Sequence, residues 1–273
     1  MNIKDKITFP LILMCFLACN AKAPDRWKMI ESDRVSIFCK ECKQNDIKAI
    51  KESANKHIAS LDSLFSIKLN QANIYLYSDR KSFDGVLSKI KQVNNYKSPT
   101  WLVASVAKNN DLAVLMPSSW STYSPSKNIA SLDSLIKHEV VHMFHNQILL
   151  KHSNKTLHDL KGINWFTEGI ATLLAMQYEN RYLEISKMIV DMELKYKSIN
   201  KMMSRFKNRY RISCFFVKFI HDIYGQSTTF ELLSANNMDD LLRTLNTNER
   251  NLIEKFINYS SNYYQKHSTI ETS

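Results

Sequence analysis

His138-Glu139-Val140-Val141-His142 lies in a run whose apolar residues Leu132, Leu135, Ile136, Val140, Met143, Phe144 and Ile148 return at helical intervals. That periodicity predicts one helix from about Ile129 to Leu150. On a helix, residues four apart are offset by only ~40° and rise ~6 Å, so His138 and His142 present their imidazoles to one point. Two imidazoles so placed suit two of the three protein ligands of a catalytic zinc, with Zn–N bonds of ~2.0–2.1 Å. Glu139 stands ~60° around the helix from His142, beside the site without having to ligate. It is placed to accept a proton from a water activated there, the role that the His-Glu-x-x-His pattern requires.

A catalytic zinc needs a third protein ligand while leaving a position open. Downstream stands Trp165-Phe166-Thr167-Glu168-Gly169-Ile170-Ala171, which offers Glu168. Two histidines compete with it. His145, seven residues on, points nearly in line with His138 but stands ~10 Å farther along the same helix, and His152 falls past the expected helix end.

The two motifs together resemble the gluzincin zinc metallopeptidases, whose second metal-site helix carries Trp-x-x-Glu-Gly-x-Ala. The resemblance covers roughly residues 100–230. It implies a zincin-like α+β fold, with a mixed α/β N-terminal lobe containing an edge strand and a helical C-terminal lobe bearing the metal. It also implies Zn2+ held by His138, His142 and Glu168, with Glu139 as general base and acid. Related zincins often place a tyrosine in a downstream segment to stabilise the oxyanion, and Tyr210 holds that position here, with a packing role as its alternative. Two departures stand out. Thr172 sits where some gluzincins carry an acidic residue that orients the first histidine. The Gly-x-Met-Glu-Asn element of one aminopeptidase family is absent.

The rest of the chain bounds this reading. At 273 residues, 44% apolar and 23% charged, it is long and apolar enough for a sizeable core. Four glycines and no Gly-x-Gly-x-x-Gly or P-loop pattern exclude a Gly-rich phosphate cradle. Residues 1–18 read as a signal, with Lys4 and Lys6 before a short apolar run and Phe16-Leu17-Ala18-Cys19 at its end. This resembles a bacterial lipoprotein signal, which implies lipidation of Cys19, export and tethering to a membrane, periplasmic or at the outer surface. Residues 19–27 form the tether, and 28–268 one metallopeptidase domain with lobes at 28–125 and 126–268. Cys39 and Cys42 form a Cys-x-x-Cys with three readings: a local disulfide, a redox pair or half of a zinc site. Cys214 reads as a buried core residue.

Sequence periodicity predicts strands at Val35–Phe38, Ala72–Tyr77, Trp101–Ala107 and Leu112–Met116, the last two as a hairpin. Helices are expected at Asp46–Phe65, Ser82–Ile90, Trp165–Tyr178, 181–204, Arg209–Gly225 and Asp239–Tyr264. In zincin-like folds the strand before the metal helix commonly forms a sheet edge to which an extended peptide adds. Leu112–Met116 is expected in that role, an interior strand being the alternative. Net charge is +11, with a basic run from Lys195 to Arg211. That run reads as a solvated face, a contact with anionic lipid or an attraction for acidic substrates. No nucleic-acid-binding module is evident. The expected activity is therefore zinc-dependent hydrolysis of a peptide or protein substrate. Alternatives are a zincin-fold binding lipoprotein without turnover, or a zinc hydrolase of a non-peptide amide.

Overall fold

The computed structural model describes residues 27–32, 34–41, 43–107, 110–120, 132–191, 196, 198–206 and 208–268. Cys19, expected to be lipidated, lies outside them. Five strands form one mixed sheet: β1 (Lys28–Glu31), β2 (Val35–Cys39), β3 (Ala72–Tyr77), β4 (Ala104–Val106) and β5 (Leu112–Leu115). Their spatial order is β1-β2-β3-β5-β4. The central pairs β2–β3 and β3–β5 are parallel, and both outer pairs are antiparallel.

The parallel crossovers follow from two helices. α1 (Gln44–Phe65) joins β2 to β3, and α2 (Arg80–Lys91) follows β3. α1 buries Ile47, Ile50, Ala54, Ile58 and Leu61, the face its periodicity predicts. Strand alternation divides the sheet into two faces. Ile74 and Leu76 of β3 and Leu112 and Val114 of β5 share a core with α1. Ala113 and Leu115 point the other way, onto Phe83 and Leu87 of α2. On that second face Phe38 stacks on Tyr75 at 4.8 Å, and Trp27 meets Tyr75 and Tyr77 edge-on, each at 5.5 Å.

β5 corrects one expectation. Leu112–Leu115 is paired on both sides and lies inside the sheet, and the edge is the preceding strand, Ala104–Val106. The physical reason is visible in its composition. Four consecutive buried residues are the mark of a strand covered on both faces, whereas an edge strand tolerates the half-exposed Ser105.

Seven further helices complete the described residues: α3 (Leu132–Ser153), α4 (Asn164–Leu174), α5 (Tyr182–Asp191), α6 (Ile199–Ser204), α7 (Arg209–Glu231), α8 (Met238–Thr244) and α9 (Glu249–Ser268). α3 is buried on almost every side from Ile136 to Leu149. Its Ile136, Val140, Met143 and Phe144 join the core beneath the sheet. α4 to α9 enclose a second core around Phe215, Phe216, Phe219 and Phe256. The expected stretch 181–204 is two helices, α5 and α6, and residues 192–195 between them are not described. Gly225 breaks α7 as expected, with φ +85°, but the chain re-enters a helix at once and runs to Glu231. Ile223 of that helix is exposed. Among the described residues no helix is long and apolar enough to cross a membrane.

Candidate metal centre

α3 supplies the two histidines by local geometry alone. Their Nε2 atoms lie 3.0 Å apart. Glu168 arrives from α4, where its Oε2 stands 3.4 Å from His138 Nε2 and 3.5 Å from His142 Nε2. Ligands at ~2.0–2.1 Å in a tetrahedral site are separated by ~3.3 Å. All three separations are close to that edge. His138, His142 and Glu168 could therefore hold a metal ion.

Tertiary packing brings Glu168 there. Ala171, one turn along α4, packs into the core shared by Val140 and Phe144 of α3. Ser134 Oγ donates to the Ala175 carbonyl at 2.9 Å, fastening the start of α3 to the end of α4. Gly169 does not face the metal helix, although its smallness suggests that role. A Cβ there would lie 2.5 Å from the Ser213 carbonyl oxygen and 2.7 Å from Val217 Cγ2, both on α7. The glycine thus lets α7 approach α4, and α7 carries Tyr210 in its first turn.

The two competing histidines are not part of the cluster. His145 is fully buried with its ring 6.2 Å from that of Phe166. Burial, with the nearby His142, pushes its pKa down to about 3, so the imidazole stays neutral. His152 is exposed near the end of α3. Trp165 borders the cleft and packs on Phe216 at 4.9 Å, while Phe166 is buried behind it.

Electrostatics separate the two carboxylates. Burial raises the Glu139 carboxyl above the ordinary range, assisted by Glu168 and opposed by the imidazoles of His138 and His142. Burial also works against charge on Glu168, yet the same two imidazoles hold it well below that range. Environments that push two carboxyls apart in this way suit a proton carrier and a permanently charged ligand. Tyr210 has its ring 6.5 Å from His138 and 5.9 Å from Trp101. Burial and the charges of Glu168 and Glu139 raise its phenol, keeping it a hydrogen-bond donor. Thr172 is fully buried. Its hydroxyl and the Nδ1 atoms of His138 and His142 lack a hydrogen-bond partner among the described residues.

A cavity of about 1070 Å³ contains the site, with His138, Glu139, Glu168 and Tyr210 on its wall. The edge strand borders it through Ala104. Leu115 N–H donates to the Val103 carbonyl and Ala107 N–H to the Asp111 carbonyl, so Val103 and Ala107 pair inward. By antiparallel alternation Ala104 and Val106 turn their backbone groups outward. The Val106 carbonyl faces His158 Nε2 at 3.2 Å. Buried Asn146 of α3 donates to the Ala107 carbonyl at 3.2 Å and accepts from Leu157 N–H at 2.8 Å, locking the hairpin against the metal helix.

Sequence reasoning did not find Trp101, Trp120, Met203 or Asn200, which also line the cavity. Asn200 and Met203 share α6, but Trp101 and Trp120 stand on other segments, and no single spacing ties the four together. Of the cysteines, Cys39 is disulfide-bonded, Cys42 lies outside the described residues, and Cys214 is a buried free thiol. Set against models of known protein families and against curated proteins, the sequence matches none of either.

Proposed function

We propose that the protein is an exported, lipid-anchored zinc peptidase of the gluzincin type. One observation carries this reading: ligand atoms of His138, His142 and Glu168 converge at tetrahedral spacing while Glu139 lines the same cavity. Zinc held there supplies Lewis acidity, polarising a carbonyl and acidifying a water. The outward N–H and C=O of Ala104 pair with the backbone of an extended substrate, a mode that reads chain direction and tolerates varied side chains. Glu139 takes the proton of the attacking water on a carboxylate oxygen and returns it to the leaving amine nitrogen; its raised pKa favours the first of these transfers. Tyr210 donates its phenolic proton in a hydrogen bond to the developing oxyanion. Trp101 and Trp165 border the cleft.

The test joins metal content to turnover. Full-length protein reconstituted with zinc is expected to hold one equivalent by elemental analysis and to cut an unstructured protein substrate. Glu139→Gln should keep the zinc and lose turnover, whereas His138→Ala should lose the zinc. Less than a tenth of an equivalent in the parent protein refutes the metal centre. Full occupancy without turnover of any peptide would favour a binding protein.

A further inference from the structure

The cleft has two unlike walls. One is apolar and comes from the sheet side, with Trp101, Val103, Trp120 and Leu135. The other comes from α6 and the start of α7 and carries Asn200, Asn208, Arg209 and Arg211. Among the described lining residues the only carboxylates are Glu139 and Glu168, and the only arginines or lysines are Arg209 and Arg211. The basic run from Lys195 to Arg211 therefore divides. Lys201 and Arg205 are exposed and do not line the cavity, whereas its last two arginines do.

Arg211 is held in place but not neutralised. Its guanidinium lies 5.5 Å from the ring centroid of Tyr178, which fixes its plane. One nitrogen, Nη1, donates to Glu184 Oε1 at 3.2 Å. The other oxygen of that carboxylate already accepts from Arg181 at 2.8 Å, so one negative charge serves two arginines. Arg211 Nε has no hydrogen-bond partner among the described residues. Arg209, at the first position of α7, is exposed and makes no ion pair among them. The backbone N–H groups that open α7 add positive potential beside both.

We propose that this wall recognises a carboxylate, so that the cleft selects acidic peptides. The ligand is an Asp or Glu side chain near the scissile bond or the C-terminal carboxylate of the substrate. This deepens the peptidase reading and rests on it for the location of the substrate. Guanidinium groups suit the task because their planar fork meets both oxygens of a carboxylate, whereas an amide offers only one.

Binding to zinc-loaded, full-length Glu139→Gln protein tests the proposal independently of turnover. Fluorescently labelled peptides of one apolar sequence carry Glu or Gln at each position in turn, with a free or amidated C-terminus, in 0.15 M salt to screen distant charge. Anisotropy titrations are expected to show about tenfold tighter binding for Glu than for Gln at one position, or for the free acid over the amide. Those two arms identify the side-chain and terminal carboxylates respectively. Adding Arg211→Gln or Arg209→Gln should bring the preference to within about threefold, with zinc content and thermal unfolding confirming an intact protein. Should those variants fail to fold, the Glu-against-Gln comparison on the parent carries the test. Equal binding of all peptides, no binding of any, or a preference equal at every position overturns the proposal, the last being attraction to net positive charge alone. Cleavage of these peptides by the protein with Glu139 intact is scored separately. Cleavage without a carboxylate preference sinks the proposal and spares the peptidase reading, whereas a preference without cleavage does the reverse.

Discussion

Gly169→Ala isolates the contact that joins the two site helices behind Glu168. The new Cβ would stand 2.7 Å from Val217 Cγ2 and 2.5 Å from the Ser213 carbonyl oxygen. Carbon atoms settle at ~3.5–4.0 Å, so α7 must retreat by about 0.8 Å. Neither neighbour can swing aside, since one is backbone and the other a β-branched side chain with a stiff χ1. Overpacking of this kind costs about 1–3 kcal/mol, and alanine recovers about 1 kcal/mol through its better helix propensity. With two of the three close contacts to backbone atoms, the upper part of that range applies, for a net loss of ~1–2 kcal/mol. Gly85→Ala is the matched control. Gly85 is an exposed residue of α2 with nothing within 4 Å of its would-be Cβ. The same substitution there should stabilise by about 0.5–1 kcal/mol. Urea unfolding of both variants without metal, at pH 7 with m-values compared, measures the pair. If Gly169→Ala unfolds at or above the urea midpoint of the parent, the close approach of α4 and α7 is wrong as described.

The third ligand is tested by Glu168→Ala, which should weaken zinc by more than about a hundredfold in a chelator competition, while His145→Ala stays within about tenfold. The reverse pattern would remove Glu168 from the metal centre. Asp133 offers a pH test of the α1–α3 junction. Burial opposes its charge, but bonds from Lys56 at 3.0 Å and Ser53 at 2.9 Å, with His57 at 3.0 Å, hold its pKa at about 2, below the 3.8 of an ordinary aspartate. A depressed carboxyl contributes stability that is complete above about pH 4 and lost as pH falls through 2. Asp133→Asn should therefore lower the urea midpoint of the metal-free protein at pH 5–6, with the gap to the parent closing towards pH 2; a gap that widens on acidification contradicts this. Cys19→Ser should abolish incorporation of labelled fatty acid and release the protein from membranes. Unchanged labelling would dispose of the lipoprotein reading.

How much of this was legible in the chain depends on how local each feature is. The histidine pair is a consequence of 3.6 residues per turn, so the spacing of His138 and His142 places both imidazoles on one side of α3 before any packing is known. The same holds for the buried face of α1, and for β3, where alternation marks Ala72, Ile74 and Leu76. Glu168 was legible only through the resemblance of its motif. Its 3.4 Å approach to His138 is decided by Ala171 packing under α3 and by Ser134 holding the end of α4. Strand order was beyond reach for a similar reason. An apolar hairpin does not declare which of its arms pairs with β3, and that choice made β4 the edge beside the cleft. Gly169 and Arg211 show the limit most sharply. Sequence marks one as small and the other as one cation in a basic run. Only the crossing of α4 and α7 makes the glycine a point of contact and turns that arginine, rather than Arg205, towards the site. Local spacing is set by covalent geometry along one helix, whereas these contacts join residues far apart in the chain and exist only once the helices pack.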